Sequence, residues 1–400
     1  MLVTQMPDSN DTARMLHALE LARAGIGLTS PNPNVGAVLV DTTNNVVGTG
    51  SHTYDGLKHA EILAIEQAGA NAHGATLYIN LEPCSHQGRT PPCADALIAA
   101  GIKRVVSSMD DPNPLVAGQG FAKLRQAGIE VDIGLLAPQA RKLNEAFARY
   151  IRSARPMVTL KTAMTLDGKI APEPEASAAG SGKITRGWIT SEPAREHVQQ
   201  LRRQSDAILV GVGTILADDP LLTDRTGLPR RRRLLRVILD SRLRIPIESR
   251  LVQTASKDVL IICSLTDIEK KRQLEDRGVR VEQLPPARPD GRPDFKQIVR
   301  FLGKEQITSL LIEGGATVNW DALAAGVVDK VFLYYAPKIL AGSGSVPFAV
   351  GDGFHRMSNA AHVRSIEIHR FGEDFAVEGY VFDPAASNDA TFVFRRRLAL

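Results

Sequence analysis

The stretch LEPCSHQGRTPPC, Leu81 to Cys93, separates two cysteines by eight residues of a turn rich in proline, glycine and basic side chains, in a chain with three cysteines altogether. Three cysteines cannot build a disulfide framework, so in a reducing compartment this pair is free for metal or catalysis, and a disulfide is the weaker reading. Upstream stands KHAEILAIEQA, with His59-Ala60-Glu61 at a helix start. Thiolates with an imidazole are what zinc selects, and three protein donors leave a fourth position for water, as in a catalytic rather than a closed structural site. His59, Cys84 and Cys93 are the expected ligands. Two residues apart on a helix, His59 and Glu61 would point about 200° from each other, so they share a site only if the histidine sits at the first turn and the glutamate reaches round. Cys93 follows Pro91-Pro92 and opens a helix, where the positive end of the dipole favours a thiolate.

Working outward, apolar spacing predicts a helix over Thr12–Arg23, strands over Val35–Val40 and Val46–Ser51, a helix over His59–Gln67, a strand over Thr76–Leu81, a helix over Cys93–Ala100 and a strand over Arg104–Met109. A helical pattern from Pro138 to Arg152 ends at SARP, and a strand starts in MVTLKTAMTLDGKIA, which places a boundary near Ser153. The second half alternates again, with strands at Ala207–Val212, Arg236–Asp240, Asp258–Cys263, Ser309–Glu313 and Lys330–Ala336, a helix over Ser191–Arg203, and loops at Pro172–Gly182 and Leu284–Pro293. Two tandem α/β domains are expected, as the length also suggests. With 44% hydrophobic and 23% charged residues the composition is that of a globular protein. MLVTQMPDSNDTAR has no charged head before an apolar run, and no stretch reaches the roughly 18 apolar residues of a membrane span, so a cytoplasmic protein without a membrane partner is expected. The net charge is +4, with arginine clusters at Arg230–Arg233 with Arg236 and at Arg395–Arg397. Such runs are usually solvated loops or tails, with nucleic-acid binding the less frequent alternative.

The H-x-E…P-C…C pattern resembles the zinc deaminases of cytidine-like and adenosine-like bases, in which a zinc-activated water attacks an amidine carbon and the glutamate, here Glu61, shuttles protons. Deaminases of nucleic-acid bases commonly have two residues between the cysteines. Together with that difference, PNPNVGAVLV, DPNPLVAGQG, LDGKIA, WITS, ILVGVGTILADDPLLT, VILDS, IEGGAT and YYAPKILAG make nearly the whole chain resemble the bifunctional deaminase/reductases of riboflavin biosynthesis. The resemblance implies a cytidine-deaminase-like three-layer α/β/α domain over residues 1–152 and a dihydrofolate-reductase-like α/β domain over residues 153–400. It implies zinc and NADPH as cofactors, a small phosphoribosylaminopyrimidine as substrate and a homo-oligomer. It also implies that Asn32 orients substrate, with His52, His86 and Arg89 near ribose and phosphate. In the second domain Lys161, Arg202, Leu222, Arg225 and Glu313 would contact substrate. Ala163, Trp188, Thr214, Asp218, Ser241 and the run Gly315, Ala316, Thr317, Val318, Asn319, Trp320 and Asp321 would contact NADPH. GVGTIL, Gly211 to Leu216, lacks the third glycine of a dinucleotide fingerprint, which argues against a Rossmann domain; the helix start after Gly314-Gly315 could instead cradle a phosphate. Where family members commonly have a serine two residues before the tryptophan of WIT, this chain has Arg186, so that contact does not carry over. Two further readings remain: a nucleic-acid base deaminase whose second half binds RNA through its arginines, and a deaminase with an impaired reductase half. A structural zinc site in a binding protein would need a fourth ligand, and no fourth cysteine is nearby.

Overall fold

The computed structural model of the chain describes residues 9–88, 90–173, 187–265 and 267–382. The first half is built on five strands, β1 (Gly36–Val40), β2 (Val46–Ser51), β3 (Thr76–Ile79), β4 (Arg104–Ser107) and β5 (Glu130–Ile133), in the order β2-β1-β3-β4-β5. β1 runs antiparallel to both β2 and β3, while β3, β4 and β5 are parallel. Helices α1 (Ser9–Ala24) and α2 (Ala60–Ala68) lie on opposite faces, and two glycines show why. A Cβ on Gly36 would meet the Ala18 carbonyl of α1 at 2.1 Å, and one on Gly50 the Ala60 carbonyl of α2 at 2.0 Å. Gly36 pairs with Ser51 and Ala37 with Gly50, so the two close approaches fall on alternate residues and hence on opposite faces. Helix α3 (Cys93–Ala99) packs with α2, α4 (Gln119–Gln126) with α3, and α5 (Ala137–Leu143) with α1, which completes the three layers.

This topology gathers the site. Because β1 is antiparallel to β2 and β3, the start of β1 and the ends of β2 and β3 share one edge of the sheet. Asn32 therefore precedes β1, His52 follows β2 and Cys84 follows β3 at the same end.

One predicted element differs. The single helix expected over 138–152 is two, α5 and α6 (Glu145–Ser153), broken at Asn144. Asn144 is buried and uses its amide to bond the Asn34 backbone, accepting from its N–H at 2.8 Å and donating to its carbonyl at 3.0 Å. That pair of bonds takes the residue out of helical conformation, an Asx behaviour that competes with the helix ladder.

The second half is one mixed sheet of nine strands. Its members are β6 (Met157–Thr165), β8 (Ala207–Gly211), β9 (Leu235–Leu239), β10 (Val259–Cys263), β11 (Val279–Gln283), β12 (Ser309–Ile312), β13 (Lys330–Ala336), β15 (His362–Phe371) and β16 (Asp374–Phe382). They lie in the order β11-β10-β9-β8-β12-β6-β13-β16-β15, and the short strands β7 (Lys169–Ala171) and β14 (Val346–Pro347) pair separately. Pairings from β11 to β13 are parallel, and only β16 and β15 run antiparallel to their neighbours. Alternate residues feed two cores. Leu209, Leu260 and Ile262 join one cluster, while Ile208, Val210, Ile261 and Cys263 join the other. Cys263 is thus a small apolar filler.

Polar contacts join the halves. The buried Asp206 carboxylate accepts from Ser30 Oγ at 2.7 Å, and Lys330 reaches Glu145 at 2.7 Å and Glu378 at 2.6 Å. The expectation of solvated arginines is corrected for Arg230–Arg232 and Arg236. Arg230 pairs with Asp224, Arg232 with Asp206, and the fully buried Arg236 with Asp258 at 2.9 Å. Arg395–Arg397 and Arg186 lie outside the described residues.

Candidate active sites

His59 is the cap residue of α2, with φ −75° and ψ 159°, so it stands outside the helix and the 100° step per residue does not apply to it. Its imidazole turns to the cysteines while Glu61, in the first turn, is buried beside it. His59 Nδ1 lies 3.1 Å from Cys93 Sγ and 3.6 Å from Cys84 Sγ, and the Cys93 N–H donates to Cys84 Sγ at 3.2 Å. The three donor atoms lie within 4.8 Å of one another. The Cys93 thiol hydrogen-bonds Cys84 and, with His59, holds it down to about 4; that same bond and burial push Cys93 up. A divalent cation bound by the two sulfurs would deprotonate them. One imidazole and two sulfurs, with a carboxylate alongside, fit zinc. Burial pushes the Glu61 carboxyl up to about 7, against the opposing pull of His59.

Asn32 and His52 adjoin this cluster. His52 Nδ1 is 3.0 Å from the Lys58 carbonyl, which can only accept, so the proton sits on Nδ1 and Nε2 accepts from Asn32 Nδ2 at 3.0 Å. The His52 and His59 rings meet edge to face, with centroids 5.3 Å apart. His86 follows Cys84 by two residues, on the loop that faces Asp111. Arg89 lies outside the described residues.

Sequence reasoning missed three side chains that fix this site by bonding backbone. Glu82, two residues before Cys84 and buried, accepts from the N–H groups of Asp111 (2.9 Å), Gly118 (2.8 Å) and Gly120 (2.8 Å), anchoring the DPNPLVAGQG loop to the cysteine loop. Asn80 accepts from Gly36 N–H at 2.9 Å and donates to the Asn34 carbonyl at 2.9 Å. With Asn144 it grips the Pro-Asn-Pro turn that carries Asn32. The signal available was a polar residue closing an apolar strand, TLYIN, and a glutamate inside LEPC.

The second candidate site is an ion triad. Glu313, at the end of β12, accepts from Arg202 Nε at 2.6 Å and Nη2 at 3.0 Å, and faces Lys161 Nζ of β6 at 3.5 Å. The side chains are 9%, 12% and 13% exposed, in that order. Burial alone would raise the Glu313 carboxyl, but Lys161 and Arg202 hold it at about 2. Burial lowers the proton affinity of Lys161. Arg202 Nη1 also donates to the Thr223 carbonyl at 2.9 Å, which brings the Leu222–Arg225 loop to the triad; Leu222 is buried there and Arg225 exposed.

The expected cofactor residues fall on several elements of the second half. Gly314 (φ 88°) and Gly315 (φ 42°) lead into the helix Ala316–Ala324, and a Cβ on Gly315 would lie 3.6 Å from Thr214 Oγ1. The first N–H groups of that helix have no intrahelical partner, and the buried Asn319 Oδ1 has no hydrogen-bond partner, so the cradle can receive polar atoms of a cofactor. Asp218 lies in the helix after β8, Ser241 directly beyond β9, and Ala163 on β6 against the aromatic cluster of Phe332 and Tyr334. Trp188 is 71% exposed, with the Arg195 guanidinium 4.8 Å from its ring centroid. Thr317 faces outward, Val318 and Trp320 are buried, and Asp321 is paired with Arg288 and Arg292. A cavity of about 450 Å³ between the halves includes Asn32 but none of the three metal donors.

Fold and site together define a zinc deaminase joined to an α/β reductase. The family described as cytidine and deoxycytidylate deaminase zinc-binding region matches residues 8–109, and the RibD C-terminal domain matches residues 156–377. The chain is 42% identical to riboflavin biosynthesis protein RibD of Actinobacillus pleuropneumoniae, with 94% of this chain and 96% of that protein covered. Against the Escherichia coli K12 protein of the same name it is 41% identical, with 91% and 97% covered. Among solved structures, Acinetobacter baumannii RibD superposes with a TM-score of 0.79 at 36% identity, covering 94% of this chain and 99% of that one. The diaminohydroxyphosphoribosylaminopyrimidine deaminase/5-amino-6-(5-phosphoribosylamino)uracil reductase of Thermotoga maritima gives 0.77 at 35%, covering 93% and 99%. The chain belongs to the RibD family of bifunctional deaminase/reductases of riboflavin biosynthesis.

Proposed function

We propose that residues 1–152 hydrolyse the exocyclic 2-amino group of 2,5-diamino-6-(5-phosphoribosylamino)pyrimidin-4(3H)-one, and that residues 153–400 then reduce the ribosyl chain to ribityl with NADPH. The observation that carries the reading is the meeting of His59 Nδ1 with the sulfurs of Cys84 and Cys93 beside a buried Glu61. Zinc held by these donors supplies a water of lowered pKa as nucleophile. Glu61, the catalytic acid/base, takes one proton from the attacking water and gives it to the ring nitrogen, then takes the remaining hydroxyl proton and gives it to the amino group, which leaves as ammonia as the carbonyl forms; a carboxyl raised towards neutrality suits both directions. Asn32 and His52 hold the pyrimidine and ribose, while His86 and Arg89 take the phosphate. In the second half Lys161, Arg202, Leu222, Arg225 and Glu313 hold the deaminated product. NADPH, which supplies hydride, is held by Ala163, Trp188, Thr214, Asp218, Ser241 and the Gly315–Asp321 segment. Lys161, its grip on a proton weakened by burial, donates to the ribose oxygen freed as the ring opens.

The enzyme works in the cytoplasm as a homo-oligomer on small molecules, without nucleic-acid or membrane partners. In support of the absence of a nucleic-acid partner, the described arginines 230–232 are taken up by carboxylates and carbonyls. The test is to give purified protein the diaminopyrimidine and NADPH. Ammonia release with NADPH oxidation is expected; ammonia alone leaves only the deaminase, and the absence of both would contradict the reading.

A further inference from the structure

One loop of the reductase half reaches from the ion triad to the turns that flank Asn32 and His52. At its start the Thr223 carbonyl accepts from Arg202 of the ion triad. Asp224 pairs with Arg230, which also donates to the carbonyls of Arg202, Arg203 and Ser205 at 3.1, 3.1 and 2.6 Å. At its far end Arg231 crosses to the deaminase half. The Arg231 N–H donates to the Gly27 carbonyl at 2.8 Å, its Nη1 to the Ser30 carbonyl at 2.8 Å, and its guanidinium carbon lies 3.6 Å from the Tyr54 ring centroid. Ser30 stands two residues before Asn32, and Tyr54 two residues after His52. These are the two members of the hydrogen-bonded pair beside His59. The Tyr54 N–H in turn donates to the Leu28 carbonyl at 3.0 Å, so the two segments already meet, and Arg231 closes them from outside.

We infer that Arg231 is a positioning residue for the deaminase, holding the turn before Asn32 against the turn after His52, so that the reductase half completes the deaminase's substrate wall. The inference rests on the reading that Asn32 and His52 contact substrate. A guanidinium suits the task because its flat face stacks on tyrosine while its edge donates in the plane to a carbonyl; an ammonium cannot do both. Arg231 also faces Asp55 at 3.3 Å, but that carboxylate is 76% exposed, so water screens the pair.

The test uses the full-length zinc-loaded protein with Arg231→Ala, Arg231→Lys, Tyr54→Leu and His52→Ala. Arg231→Ala is expected to raise KM for the diaminopyrimidine about tenfold, the size of a desolvated stack with a charged hydrogen bond. It should leave kcat and zinc content little changed, and NADPH oxidation on the deaminated substrate intact. Arg231→Lys should show the same rise, because charge without the planar fork does not hold the turns. Tyr54→Leu reaches the same contact from the other half, and should raise KM without adding to Arg231→Ala in the double variant. Rescue by lysine would overturn the inference, since the residue would then act through charge alone on an anionic substrate. Joint loss of both activities in the Arg231 variants would overturn it as well, as a general structural role. If His52→Ala raises KM and Arg231→Ala does not, the inference alone fails; if His52→Ala changes nothing, the reading of the pair fails and takes the inference with it.

Discussion

The two sites balance charge in opposite ways. Around His59, Cys84 and Cys93 the chain collects electron-pair donors and a carboxylate whose charge burial suppresses, so the arrangement is complete only with a cation that the chain does not encode. Around Glu313 the chain supplies both signs itself, a carboxylate held ionised by Lys161 and Arg202. The first site should therefore fail in chemistry when altered, and the second should fail in stability too. Breaking a buried ion group by removing one member strands the others, whereas a metal site loses its ligand to solvent.

The sharpest way to break this contrast is Glu61→Gln. Deamination should fall by about 10²–10⁴-fold or more, the range of general acid–base catalysis, with zinc still bound and reduction unaffected. Ammonia release beside metal analysis checks it, and loss of zinc from this variant would contradict the assignment of Glu61 as a proton carrier rather than a ligand. Next in size, Glu313→Ala leaves two buried cations unpaired and should destabilise the reductase half by about 3–5 kcal/mol. Both tryptophans of the chain, Trp188 and Trp320, lie in that half, so tryptophan fluorescence in urea follows it selectively. The effect must exceed any change in ammonia release.

Titration sharpens the same point. The folded pKa of Glu313 is depressed to about 2 from an ordinary 4.5. Its pairing therefore stabilises the fold fully above pH 4.5, and that contribution is lost as pH falls from there towards 2, because the unfolded chain then binds a proton that the folded one refuses. Glu378, depressed to about 2 by Lys330 although burial opposes it, acts in the same direction. Urea midpoints read by fluorescence should drop across this window, and Glu313→Gln should flatten the slope. The smallest effect belongs to Trp188→Leu. At this exposed position stability should stay within about 0.5 kcal/mol, while KM for NADPH rises severalfold in steady-state oxidation. An unchanged KM would rule out the proposed cofactor contact of Trp188.

The same contrast explains what could be read from sequence. The proposed zinc donors lie within 35 residues, in the HAE and PCSHQGRTPPC segments, and their chemistry is distinctive enough to stand without a fold. Lys161, Arg202 and Glu313 come from β6, the helix Glu192–Gln204 and the end of β12, and only a family resemblance singled them out. Glu82, Asn80 and Asn144 stayed hidden because their partners are backbone groups, which carry no residue identity. The helix Gln119–Gln126 and strand β5 went unread, and so did the hairpin of β15 and β16: β15 is an edge strand exposed along most of its length, so it lacks the alternation that marks a half-buried strand. The arginine run misled for a related reason. Its partners Asp55 and Ser30 lie in the other half of the chain, and a charge cluster looks solvated until the fold brings carboxylates and carbonyls to it.

X-ray absorption at the zinc edge, on full-length protein purified without chelators, bears most directly on the whole account. One zinc per chain is predicted, with two sulfurs at about 2.3 Å, one imidazole nitrogen at about 2.0–2.1 Å, and a light atom completing the shell. Protein that releases ammonia while holding no stoichiometric zinc, or a zinc shell without sulfur, would contradict it.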